Sequence, residues 1–240
     1  MPLILILTIV CVVTYTFEIT FGLAGTILMV VVMSHFYDTQ TLVIYSILPQ
    51  ILVGTIGLIR SPKNVSPRYL GSMVAYAFIG AMAGLFLFYQ FSNTVFHTLL
   101  ASAITLFGTY LVVTPGKFKL NNIGMRILDI VAGMSQALFG ISGPIAMTRL
   151  MGTFQSKLEI RNYALAFFLS MNIVRMAGYL LNHTISGEIV SMMMYSGPIL
   201  AITLWFSNHL HLRINEVWFR RTVSWMILLG GISLFYTVPE

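Results

Sequence analysis

This chain contains eight long apolar runs, and these runs limit the possible fold more than any other feature. A helix that crosses a membrane needs about 20 mainly apolar residues, and most of the runs reach that length. Inside a bilayer the backbone must satisfy its own hydrogen bonds, so continuous runs of this kind form helices. We therefore expect an all-α integral membrane protein. The runs lie near residues 3–33, 41–59, 69–89, 94–114, 125–152, 160–181, 188–208 and 218–237.

Composition excludes an ordinary soluble domain. Hydrophobic residues form 58% of the 240-residue chain and charged residues only 8%, whereas a soluble domain has about 25% charged residues. The net charge of +6 comes from basic residues in loops and at helix ends, which membrane orientation explains. We expect a multi-pass protein of the cell membrane, in a prokaryote the cytoplasmic membrane. Its surroundings are the lipid bilayer, and no nucleic-acid partner is expected.

A short apolar phrase with two glycines occurs twice. Residues 21–29 read FGLAGTILM, and residues 139–147 read FGISGPIAM. Each copy lies in the first run of a group of four. We therefore divide the chain into a first repeat at 1–114, a linker at 115–123 and a second repeat at 124–240. The first run of each repeat is predicted to be broken or re-entrant at its glycine pair.

Basic residues favour an inverted arrangement of the two repeats. If all eight runs crossed, lysines and arginines would lie on both sides, against the positive-inside bias. If the first and fifth runs bend back at their glycines, all the loop arginines and lysines fall on one face. Each repeat then has three crossings, so the second repeat is upside down relative to the first.

The two glycine pairs, Gly22 with Gly25 and Gly140 with Gly143, are the first candidate binding residues. A half-helix that starts at such a break directs free N–H groups and a positive dipole end into the gap. Pro144 suits that first turn because proline there loses no needed donor. Paired, glycine-interrupted segments at matching positions indicate the binding site of a transporter. The alternative is that the glycines only let helices pack closely.

Ala24 and Thr26 in the first break and Ser142 in the second are further candidates. Ser142 can donate its hydroxyl to an anion. Residues 140–143 also match the G-x-S-G pattern of intramembrane serine proteases, which need a histidine base, and His183 is the one candidate nearby in sequence. Because the first repeat has alanine in place of the serine, duplication explains the pattern, and we do not expect an enzyme.

Glu18 and Gln136 hold equivalent positions, four residues before the first glycine of each break. A carboxylate at membrane depth is costly and marks function by default. We expect Glu18 to take up a proton or cation that is coupled to substrate movement, and Gln136 to make a fixed hydrogen bond. A neutral Glu18 bonded to nearby backbone is the alternative.

Five more residues are candidate substrate contacts. Asn172 and Arg175 are three apart, so they share a helix face, and the guanidinium fork suits oxyanions. The alternative for Arg175 is that it extends outward to the membrane surface. Tyr45, Gln50 and Tyr163, on the runs that follow each break, are candidate cavity-lining residues, and ordinary helix packing is the alternative for each.

Two glycine-broken runs in two four-run halves resemble the sulfite exporter TauE/SafE family of membrane transporters, over the whole chain. Residues 21–25 and 139–144 carry the resemblance, and residues 219–220 and Gly231 support it more weakly. Ala24 and Ser142 stand where glycine is common in the family. The resemblance implies transport of sulfite, a sulfonate or another organosulfur anion across the cytoplasmic membrane.

We therefore predict a secondary transporter of a small anion that works by alternating access, with its site at the two breaks. An ion channel and an intramembrane serine hydrolase are the alternatives. The expected partners are a small anion and a coupled proton or cation, and a homodimer is left open. No cofactor and no metal site are expected.

Overall fold

A computed structural model describes residues 2–21, 24–59, 65–113, 121–207 and 216–236. Gly22 and most of the predicted linker lie outside the described residues. The described part is all-helical and contains no strand. Its helices are α1 (Pro2–Phe21), α2 (Gly25–Met33), α3 (Thr39–Tyr45), α4 (Ile47–Ile59), α5 (Pro67–Gln90), α6 (Asn93–Val113), α7 (Asn122–Phe139), α8 (Gly143–Met151), α9 (Lys157–Leu181), α10 (Gly187–Ser207) and α11 (Glu216–Leu234).

Six stretches of the described chain are long and apolar enough to cross a membrane. They are Leu3–Thr20, Thr39–Ile59, Pro67–Gln90, Asn93–Val113, Leu158–Leu181 and Gly187–Ser207, and a shorter apolar helix covers Ser224–Leu234. The eight predicted segments are therefore not established. α7 has the length, but Arg126 and Asp129 make it more polar, and the nine-residue helices α2 and α8 are too short to cross.

Glycines bring several helices into backbone contact. On α5, a Cβ at Gly80 would overlap the carbonyl group of Ile130 on α7, and a Cβ at Gly133 on α7 would overlap that of Ala77. Membrane helices gain little from burying apolar surface against one another, so close packing through small residues is their main means of association.

Two helix pairs run antiparallel at such glycine contacts. Between α6 and α11, Gly108 lies against Leu228 while Gly231 lies against Thr105. As the residue numbers rise along α6, the residues that they contact on α11 fall in number, so the two helices run in opposite directions. The same holds between α4 and α9, where Gly54 lies against Leu169 and Gly57 against Leu165.

The two short helices fold back along the long helices that precede them. On the first, the Thr26 hydroxyl is 3.1 Å from the Tyr15 hydroxyl of α1. On the second, Arg149 in the last turn of α8 pairs with Asp129 of α7 at 3.0 Å. The chain therefore reverses direction between α1 and α2, and again between α7 and α8.

Candidate functional site

The first break is marked by Ala24, which separates α1 from α2. α1 ends at Phe21 and α2 begins at Gly25. Ala24 has a left-handed backbone, with φ of 81°, which costs a residue with a side chain about 1–2 kcal/mol. This residue is also buried, so the tightly packed surroundings hold it in that conformation.

The second break separates α7 from α8 at the predicted glycines. α7 ends at Phe139, and Gly140 follows with a left-handed φ of 71°. The Gly140 N–H closes α7 by donating to the Gln136 carbonyl oxygen at 2.9 Å. α8 then starts at Gly143 with Pro144 in its first turn, where a missing N–H does no harm. Both breaks therefore occur at the glycine phrases.

The two breaks meet at one buried cavity of about 20 Å³. A space of this size holds about one water molecule. Several of the predicted binding and coupling residues line it, namely Glu18, Ala24, Thr26, Gln50, Gln136, Gly140, Ser142 and Gly143. Its apolar lining, which the sequence analysis missed, consists of Ile27, Ile141 and Phe168.

Glu18 occupies the N-terminus of α2. Its carboxylate oxygen Oε2 accepts a hydrogen bond from the Thr26 N–H at 3.1 Å, and the carboxylate also interacts with the Gly25 N–H. A Cβ at Gly25 would overlap Oε2, so only glycine lets the carboxylate approach so closely. The first turn of this half-helix is therefore already occupied by an acidic side chain of the protein itself.

Gln136, the counterpart of Glu18 in the second repeat, makes different contacts. Its Oε1 accepts a hydrogen bond from the Ser142 hydroxyl at 2.7 Å. Its Nε2 donates to Gln50 Oε1 at 2.8 Å and to Asn172 Oδ1 at 3.2 Å. The partner of the Ser142 hydroxyl is therefore an amide, and His183 is exposed in the turn after α9. Within the described residues, Ser142 has no histidine partner of the kind that a serine hydrolase needs.

Gln50 joins the two breaks. Its Nε2 donates to the Thr26 hydroxyl of the first break and to the Gly140 carbonyl oxygen of the second, the latter at 2.8 Å. Because both donors of one amide group are used, the cavity wall at this point is held in a defined orientation.

Arg175 lies behind these amides with no exposed surface. Its guanidinium donates to Asn172 Oδ1 at 2.8 Å, to Gln50 Oε1 at 3.3 Å and to the Val43 carbonyl oxygen at 2.9 Å. A Cβ at Gly140 would be 3.1 Å from Nη2. Within the described residues Arg175 forms no ion pair, and its Nε atom has no hydrogen-bond partner. The side chain thus points into the protein rather than outward to the membrane surface.

The remaining candidates lie off the cavity wall. The Tyr45 hydroxyl is 2.6 Å from the Ser196 hydroxyl. The Tyr163 hydroxyl accepts from the Ser66 N–H at 2.8 Å, and its ring stacks on Phe154 with a centroid distance of 4.5 Å. Pro144 is buried within α8. These residues contact neighbouring helices and do not line the cavity.

Comparison with known proteins gives one match. The family model described as Sulfite exporter TauE/SafE matches residues 7–234, nearly the whole chain. No curated protein and no solved structure matches the chain.

Proposed function

Because this chain belongs to the sulfite exporter TauE/SafE family, and is therefore a multi-pass membrane transporter, we propose that it carries a small anion by alternating access. The proposed solute is sulfite, a sulfonate or another organosulfur anion. The proposed site is the cavity between the two breaks, with Gly140, Ser142 and Gly143 on one side and Ala24 and Thr26 on the other.

One observation carries this proposal: two half-helices begin at the same cavity, which five polar side chains line. α8 starts at Gly143 on the cavity wall, and a helix N-terminus attracts anions through its free N–H groups and dipole. In the proposed bound state the Ser142 hydroxyl turns from Gln136, its present acceptor, to a sulfonate or sulfite oxygen. Arg175 adds positive charge from behind the amides.

Helix directions support inverted repeats as the basis of alternating access. Under the proposed duplication α4 corresponds to α9, and α6 to α11. A two-fold axis in the membrane plane makes corresponding helices antiparallel, whereas an axis along the membrane normal makes them parallel. Both pairs are antiparallel at their glycine contacts. We propose that the 1–114 and 124–240 halves are related in this inverted way.

Flux measurements in proteoliposomes test the proposed function. We expect saturable uptake of sulfite and of sulfonates such as ethanesulfonate, and weaker uptake of carboxylates of similar size, because a sulfonate offers three oxygens to the donors of the proposed site and a carboxylate offers two. Protein-free liposomes are the control. Absence of saturable flux for every anion, or a current at channel rates, would contradict the proposal.

A further inference from the structure

Resting on that proposed function, we propose that Glu18 is a resident anion that the transported solute displaces, and that each solute anion binds together with one proton taken up by Glu18. Three features of the described residues carry this inference: the difference between the two breaks, the balance of charge around the cavity, and the position of Glu18 on the cavity wall.

The two breaks differ at their half-helix starts. The Thr26 N–H at the start of α2 is bonded to the Glu18 carboxylate. At the start of α8 the equivalent residue is Gln136, a neutral amide that accepts from the Ser142 hydroxyl. Ser142 itself makes no side-chain cap on α8. The N-terminus of α2 is therefore occupied by a carboxylate, whereas the N-terminus of α8 has no carboxylate bound to it among the described residues.

The chain of hydrogen bonds between Arg175 and Glu18 has balanced charge when one anion is present. A chain of hydrogen bonds runs from Arg175 through Gln50 and Thr26 to Glu18. Arg175 is the one positive charge in this chain, and Glu18 is the one group that can be negative. Uncompensated charge at membrane depth is costly. With Glu18 ionised the chain is neutral, so a solute anion restores neutrality only if Glu18 gains a proton.

Few other ionisable groups surround Glu18. The helices packed against α1 include α2, α4 and α10. α2 and α4 contain no charged residue, and α10 contains Glu188 in its exposed first turn and the exposed Tyr195. From α9, Arg161 donates to the Ile19 carbonyl oxygen at 2.9 Å. On α1 itself, Tyr15 and Cys11 are the other titratable side chains, and both are buried.

Glu18 and the proposed solute share one small space. The Glu18 side chain lines the same cavity as Ser142 and Gly143, so an ionised carboxylate repels an incoming anion. Protonation forms one carboxyl O–H bond and removes that negative charge. Protonation also weakens the hydrogen bond from the Thr26 N–H to Glu18. The N–H groups at the start of α2 then become available to the solute. Both effects make anion binding tighter as the pH falls.

Proton linkage gives the expected measurement on the purified protein in detergent. Ethanesulfonate is the probe, because its own charge does not change around neutral pH. We expect its affinity to fall about tenfold for each unit of rising pH over the range in which Glu18 is ionised in the empty protein, the slope of one proton bound per anion. In weakly buffered solution, ethanesulfonate should cause uptake of about one proton per anion bound.

Glu18→Gln should remove both effects. The amide keeps the size of the side chain and is tolerated at the equivalent position, Gln136. We expect this variant to bind ethanesulfonate with an affinity that no longer depends on pH, and with no proton uptake. Glu188→Gln, an exposed carboxylate replaced on α10, is the matched control and should keep the wild-type pH dependence.

The outcomes separate the two proposals. Wild-type binding of ethanesulfonate without proton uptake overturns the role of Glu18 but leaves anion transport intact, and so does a Glu18→Gln variant with wild-type pH dependence. Absence of ethanesulfonate binding at every pH, together with absence of anion flux in proteoliposomes, overturns both. If Glu18→Gln does not fold, proton uptake by the wild-type protein decides the question.

Discussion

Arg175→Met is expected to weaken anion binding roughly thirtyfold while leaving the protein folded. At a distance of about 8 Å and an effective dielectric constant of about 20, a unit positive charge attracts an anion by about 2 kcal/mol. Arg175 is the positive charge behind the cavity amides, so its removal should raise the Kd for ethanesulfonate by that factor. Isothermal titration calorimetry at acidic pH measures the change.

The contacts of Arg175 explain why the fold should survive this change. Methionine fills much of the space of the arginine side chain and brings no polar group that would need a hydrogen bond. Gln50 Oε1 and Asn172 Oδ1 each keep the Gln136 amide as a donor, and the Val43 carbonyl oxygen keeps the Ser46 hydroxyl. No acceptor is therefore left without a hydrogen bond.

A second arginine on the neighbouring helix gives the matched control for Arg175→Met. Arg126 of α7 is exposed and lies over the Tyr76 ring at 5.1 Å. Arg126→Met should leave the Kd for ethanesulfonate unchanged. If Arg175→Met also binds with wild-type affinity, Arg175 is removed from the anion site.

Gly80→Ala is expected to destabilise the protein by about 3 kcal/mol or more, at the upper end of the cost of overpacking. The added Cβ would overlap the backbone of Ile130, and backbone atoms cannot move aside as a flexible side chain can. α5 and α7 must therefore separate along their whole contact. Thermal unfolding in detergent, followed by intrinsic fluorescence, and the yield of monodisperse protein both report the loss.

Gly71 provides the matched control on the same helix. A Cβ at Gly71 would meet no atom within 4 Å, so Gly71→Ala should be neutral or slightly stabilising, since alanine is the better helix former by up to about 1 kcal/mol. Equal unfolding temperatures for Gly80→Ala and Gly71→Ala would mean that α5 and α7 are not in backbone contact.

The positions of the helix breaks could be predicted from the sequence because glycine and proline act locally. Gly140 takes a left-handed conformation and Pro144 lies in the first turn of α8, as their chemistry requires. Glu18 and Gln136 could also be located, since polar groups in apolar runs must face protein or a cavity. These residues indicate the position of the site because polar side chains are rare within the apolar runs.

The directions of the other side chains could not be predicted in the same way. Helices that are apolar on every side show no difference between the face toward lipid and the face toward protein. No pattern in the sequence therefore identifies Ile27 of α2 or Phe168 of α9 as lining the cavity, or shows that Tyr45 and Tyr163 lie off its wall. The rotation of a helix about its own axis is set by its packing against other helices, and the sequence of that helix alone does not determine this packing.

The small volume between the two breaks has a consequence for speed. A space that admits about one water molecule is too tight for ethanesulfonate, so the proposed alternating access requires helices to part and close again for every ion that passes. Such rearrangements take microseconds to milliseconds. We therefore expect the protein's own motion to limit turnover, so that raising the solute concentration beyond saturation does not increase the rate.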